Sequence, residues 1–225
     1  PVVCSDFSGY RDLVEPGKTG RLIPTLAPAR MPEFLADGAG VLDPSMVRLY
    51  RAQAVALDLR ELERALLDLT VSPSLRERMG GLAVRAASTF RWDAVIRRYE
   101  AFWQRLSEVA REAPPRSLPN GADLLTADLD ALFTHYPSHL LQNDQALELT
   151  DVGRGTAPGE IGFVRYEDVA VCLFPELESL VLEELDRKRM TIAEIQEVAQ
   201  KRLEASPGQT LFHILWLMKH GAVAE

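Results

Sequence analysis

The chain opens Pro1-Val-Val-Cys-Ser-Asp-Phe-Ser-Gly-Tyr-Arg-Asp-Leu-Val-Glu-Pro-Gly-Lys-Thr-Gly20, and here the residue types and their spacing point to chemistry. Asp6 stands where an apolar run ends, and in open α/β sheets ligands sit beyond the carboxyl ends of the strands. Gly9 precedes a short helical stretch. A backbone without a side chain can approach a phosphate there, because free amides and the helix dipole favour an anion. A turn aspartate and a turn glycine need no ligand, and both readings stand at this point. Lys18 and Arg21 are either cations for a bound anion or solvated surface charges. No residue is assigned a catalytic role.

Other constellations carry less. His135 and His139 are four apart, but Pro137 between them spoils the helical geometry that would put both on one face, and no cysteine is near. We read that stretch as a turn, and no metal site is expected anywhere. Gly153-Arg-Gly155-Thr-Ala-Pro-Gly159 resembles a phosphate loop only in its glycine count, lacking the Gly-Lys-Ser/Thr ending. His213 and Trp216 lie in an apolar helix and read as core. No cofactor motif is present. Cys4 and Cys172 stand in apolar surroundings and are expected to be buried, reduced thiols.

The elements that would position the opening group follow from its pattern. Val2 to Cys4 is a short apolar run typical of a doubly buried parallel strand, broken by Ser5-Asp6 and Ser8-Gly9. Tyr10 to Val14 predicts a short helix. Glu15-Pro16-Gly17 stops it, since proline cannot continue a helix and glycine tolerates positive φ. Gly20 to Pro24 predicts a second strand.

This opening resembles the second nucleotide-binding domain of the family 4 retaining glycosyltransferases, which carries a run close to P-V-V-x-S-D-x-G-G-x-x-E-L-V-x-x-G-x-T-G-x-L-V-P. Pro1, Val2, Val3, Ser5, Asp6, Gly9, Leu13, Val14, Gly17, Thr19, Gly20, Leu22 and Pro24 fall in register. Ser8 replaces the first glycine and Asp12 the glutamate. The likeness continues at Asp58-Leu-Arg-Glu-Leu-Glu-Arg-Ala-Leu, at Ser74-Leu-Arg-Glu-Arg-Met-Gly80 and at Phe90-Arg-Trp-Asp-Ala-Val-Ile-Arg-Arg-Tyr-Glu-Ala-Phe102, covering about the first half of the chain. It implies an α/β, helix-rich fold, the carboxyl-terminal part of a Rossmann-like GT-B domain, with Ser5, Asp6, Gly9 and Asp12 at a nucleotide-sugar donor. The family's signature glutamate pair would lie a few residues before Pro1 and its acceptor-binding domain earlier still. A chain beginning at Pro1 without methionine therefore reads as a piece of a longer protein, and the piece alone is expected to be inactive.

Composition sets the remaining bounds. The 225 residues are 47% hydrophobic and 26% charged, ordinary for a soluble globular chain of one or two domains. The longest apolar run, Leu211 to Met218, is far short of the roughly 18 residues that read as membrane-spanning, so no membrane span and a cytoplasmic location are expected. Residues 1–113 hold 16 Lys and Arg against 15 Asp and Glu, a net of +1, and residues 114–225 hold 9 against 18, a net of −9. That acidic half would repel phosphate backbones, and no nucleic-acid partner is expected.

Residues 25–57, preceded by Pro24 and holding Pro28, Pro32 and Pro44, predict a loop-rich surface insertion. Leu59, Leu62, Leu66 and Leu69 recur at helical spacing, and Ser72-Pro73 supplies an N-cap and first-turn proline for a helix to about Ala87 with Leu75, Met79, Leu82 and Ala86 inward. Trp92 to Glu112 has the strongest stripe: Trp92, Val95, Ile96, Tyr99, Phe102, Trp103, Leu106 and Val109. In the resembled family the corresponding helix crosses to the first domain, so this stripe either meets that missing domain or packs locally.

The domain division expected is 1–112 as the donor-binding part, 113–121 as a proline-rich linker and 122–225 as a small acidic helical domain. That domain predicts helices at 123–133, 176–187, 192–203 and 209–220, with a Thr191-to-Glu194 capping box and Gly221 as C-cap. Ala146 to Thr150 predicts a strand, and Ile161 to Leu173 strand or turn material. Its last three helices with a strand at Ala222-Val223 are winged-helix-like. Two functions follow as expectations: part of a glycosyltransferase in glycan or polysaccharide assembly, or a protein-interaction module built on a degenerate nucleotide-binding domain.

Overall fold

The computed structural model describes residues 1–31, 44–112, 129–156, 163 and 165–225. In chain order the elements are β1 (Val2–Ser5), α1 (Tyr10–Leu13), β2 (Gly20–Ile23), β3 (Thr25–Pro28), α2 (Pro44–Gln53), β4 (Ala56–Leu57), α3 (Leu59–Val71), α4 (Pro73–Ala87) and α5 (Trp92–Glu112). Then follow α6 (Leu129–Phe133), β5 (His139–Leu141), β6 (Ala146–Leu149), α7 (Asp151–Arg154), α8 (Glu167–Ala170), α9 (Pro175–Arg187), β7 (Met190–Thr191), α10 (Ile192–Leu203), α11 (Pro207–Lys219) and β8 (Val223–Ala224). The fold is helix-rich with small mixed sheets, compatible with an α/β class. The expected linker 113–121, the first residues of the helix expected at 123–133, and the loop residues 157–159 lie outside the described residues.

Two compact units emerge: Pro1–Cys4, Gly9–Leu22 and Glu63–Phe133 form one, and Ser5–Ser8, Ile23–Leu62 and Thr134–Glu225 the other. In the first, β1 pairs with β2. Gly20 has no room for a side chain, since a Cβ there would lie 2.3 Å from the Val2 carbonyl oxygen and 2.8 Å from Val14 Cγ1. The strand at Val2–Ser5 is present, but the expectation of a doubly buried strand is corrected. Val2 is 48% exposed, and β1 has β2 as its only strand partner among the described residues. Ser72 Oγ accepts from the Leu75 amide at 3.3 Å with Pro73 in the first turn, so α4 starts where the cap requires. Arg76 Nη1 donates to the Leu69 and Thr70 carbonyls at 2.5 and 2.8 Å, satisfying orphan acceptors at the end of α3. Of the expected inner faces, Leu69 and Met79 are buried and Leu66 is exposed.

The second unit holds the larger core. Helix α11 is apolar all round: Phe212 through Met218 are all buried, and it packs on α9, α10, α2, β4 and β8. Such a helix belongs in an interior. Capping boxes start α10 (Thr191 with Glu194) and α11 (Ser206 with Gln209), and Gly221 follows at φ +75°. Strand β6 is central to one sheet, antiparallel to β7 (Leu147 opposite Met190) and to β8 (Leu149 opposite Val223). In the other sheet β3 runs antiparallel to β4 and parallel to β5, with Leu26 opposite His139 and Pro28 opposite Leu141.

That last pairing overturns the expectation that residues 25–57 decorate the surface. Thr25 and Ala27 are buried on β3, and Tyr50 and Ala54 join the core cluster with Trp216 and Leu217. Residues 23–62 therefore group with residues 134–225, a division different from that at the expected linker. Residues 165–173 form a turn and the short helix α8 rather than a strand.

Candidate functional site

The four candidate residues divide between the units. Gly9 and Asp12 belong to the first. Gly9 is exposed, has an ordinary φ of −70° and has open space where a Cβ would go. Asp12 is exposed on α1, and its amide donates to the Gly9 carbonyl at 3.1 Å. Lys18 pairs with Glu15, and Arg21 Nη2 meets Asp68 Oδ2 at 3.0 Å, so both cations considered for a bound anion have carboxylate partners. The turn that carries them is well determined. The Glu15 amide donates to Thr19 Oγ1 at 2.8 Å, the Gly17 amide to the Gly20 carbonyl at 2.9 Å, and Gly17 has φ +76°.

Ser5 and Asp6 belong to the second unit, and both are half-buried. The Asp6 amide donates to the Ile23 carbonyl at 2.6 Å. Its carboxylate Oδ2 lies 2.7 Å from Ser138 Oγ, and its carbonyl accepts from Thr25 Oγ1 at 2.9 Å. Thr25 and Ser138 answer each other: each backbone amide donates to the other's hydroxyl, at 2.9 and 3.0 Å. Asp6 is therefore held by two hydroxyls at the starts of β3 and β5. Neither Thr25 nor Ser138 was singled out from sequence. They stand 113 positions apart, and no local pattern announces such a pair. Ser8 has φ +55°, rare for any residue but glycine.

A second polar group lies inside the same unit. Glu178 is fully buried and meets Arg165 Nη2 at 2.5 Å. Burial raises its carboxyl above the usual range, with Arg165 opposing. The Nε2 of buried His213 accepts from the Phe174 amide at 2.8 Å, which leaves the proton on Nδ1 to be donated to the Gln209 carbonyl at 2.7 Å. Burial pushes this imidazole down to about 4. The His213 bond ties α11 to the start of α9, the Arg165–Glu178 pair ties α9 to the segment before α8, and the expectation of His213 and Trp216 as core holds.

Cys4 and Cys172 form no disulfide and are half-buried, which corrects the expectation of full burial. Among the described residues no set of three or more His, Cys, Asp or Glu is placed to hold a metal, and no helix is long and apolar enough to cross a membrane. Compared with known proteins, the chain matches no family model, no curated protein and no solved structure.

Proposed function

We propose that the chain is the carboxyl-terminal portion of a retaining glycosyltransferase of the family 4 type, acting in the cytoplasm on a nucleotide-sugar donor in glycan or polysaccharide assembly. The residues before Pro1 would supply the glutamate pair. The observation that carries this reading is how the four glycine positions of the resembled motif behave. Positions 8 and 17 take positive φ, +55° and +76°, and position 20 has no space for a Cβ. Three of the four thus answer to the backbone of this chain, even where serine now stands. The fourth, Gly9, is asked for nothing by the fold, and open space lies above it. A glycine where the fold does not need one suits a backbone approached by a ligand.

In this reading Ser5, Asp6, Gly9 and Asp12 neighbour the donor, and α5 presents its stripe to the missing amino-terminal domain. None of the residues of α5 is buried, and Trp92 and Trp103 are 78% and 58% exposed. Residues 122–225, described from 129, are in this reading the added helical module, its part from Thr134 grouping with residues 23–62. Within the module α11 is core and is not exposed to sit in a DNA groove.

One observation favours the interaction-module reading: the Asp6 carboxylate is engaged by Ser138. Titration of UDP, GDP and ADP into the longer protein separates the two. Binding of one supports the enzyme, and binding of none supports the module. Sugar transfer by the 225 residues alone would contradict the proposal.

A further inference from the structure

We infer that residues 134–138 are a positioning strap for the loop at Asp6 to Ser8, so that the second half of the chain sets the conformation of the stretch that the donor would meet. Naming the ligand as a donor rests on the glycosyltransferase reading above; the strap itself rests on geometry.

Four contacts define it. The Ser138 hydroxyl lies 2.7 Å from Asp6 Oδ2 and 3.2 Å from the Asp6 carbonyl oxygen. The Tyr136 carbonyl accepts from the Ser8 amide at 3.2 Å. The Tyr136 ring meets Phe7 edge-on, centroids 5.5 Å apart and planes at 79°. All these residues lie in one unit, and Ser138 is fixed through Thr25 at the head of the β3–β5 parallel pair. Three consecutive loop residues are thus each held by the same five-residue segment.

The strap accounts for a conformation that is otherwise unexplained. Serine at φ +55° persists only where its surroundings over-determine it, and Tyr136 supplies that determination at Ser8. With the Asp6 carboxylate turned to Ser138, the loop's offering to a ligand is its backbone. Ser138 acts through Asp6 and is a positioning residue.

Hydrogen exchange on the 225-residue chain tests this. Ser138→Ala should speed exchange of the amides of residues 6–8 at least tenfold, Ser138→Thr should restore protection, and the amides of α11 should be unchanged. Unchanged exchange at 6–8 in Ser138→Ala, or no rescue by threonine, overturns the strap. If Ser138→Ala also exposes α11, Tyr136→Ala decides: a severalfold rise confined to residues 6–8 supports the strap, and no rise overturns it. A second arm titrates UDP, GDP and ADP into the longer protein. Tenfold weaker binding in Ser138→Ala, rescued by threonine, shows that the strap serves the ligand. Binding indifferent to Ser138 overturns that role. If no nucleotide binds, the glycosyltransferase reading fails while the exchange result still decides the strap.

Discussion

Helix α5 carries the most pronounced apolar stripe among the described helices and α11 is the most apolar of them, and their surroundings are opposite. Over 21 residues α5 buries none, although Trp92, Tyr99, Phe102 and Trp103 stand on one stripe. Over 13 residues α11 buries eight, including Phe212, His213 and Trp216. The difference teaches what a pattern specifies. A helix apolar all round has one solution, the interior. A stripe says only that one side wants a surface, and α5 leaves that surface unmade.

The largest test of this contrast is truncation in each helix. Phe212→Ala should cost about 3–5 kcal/mol, the usual loss for a buried aromatic, whereas Trp103→Ala should cost less than about 0.5 kcal/mol. Chemical denaturation of both variants reads this. Similar losses would mean that α5 is packed in solution after all.

The next effect belongs to His213, the titratable residue inside α11. Its pKa falls from 6.5 to about 4 on folding, so below 6.5 the unfolded chain binds the proton more readily than the folded one. The stabilisation is complete above pH 6.5 and drains away as pH falls towards 4, about 3 kcal/mol in all at about 1.4 kcal/mol per pKa unit. Glu178, raised by burial, works in the opposite direction: its share is present at low pH and lost as pH rises. Comparing wild type with His213→Gln at each pH isolates the histidine. A constant difference between them would refute the assignment.

Smaller still are the glycine positions. Gly20→Ala should cost about 1–3 kcal/mol, because its Cβ would meet the Val2 carbonyl, whereas Gly9→Ala should be near neutral. Thermal melts distinguish them, and a large loss at Gly9 would remove the argument that this glycine is spare. Ser8→Gly should raise stability by about 0.5–1 kcal/mol, the relief of left-handed strain less the entropy glycine adds. A destabilised Ser8→Gly would show that the serine side chain is needed.

What could be read from the sequence was local. Ser72-Pro73 placed the start of α4, the Thr191-to-Glu194 box the start of α10, and the bounds of α5 and α10 match their apolar patterns, because caps and 3.6-residue periods are written in neighbouring residues. What escaped was non-local. Leu26 to Pro28 look like loop because three prolines lie close by, yet they pair with His139 to Leu141 more than a hundred positions away. Ser138 sits between two histidines that drew attention to themselves, and its partner Asp6 lies 132 positions earlier. The loop was legible as a turn, but the hydroxyls that hold it were not. Nor can a strand such as Val2–Ser5 announce from its own residues how many neighbours it has.

The central claim is that the opening of this chain borders a nucleotide-sugar site. Calorimetric titration of nucleoside diphosphates into the longer protein, wild type and Gly9→Val, addresses it most directly. The account predicts that one of UDP, GDP and ADP binds and that valine at position 9 weakens it at least tenfold with the fold intact. Silence from all three nucleotides, or binding indifferent to valine, would contradict it.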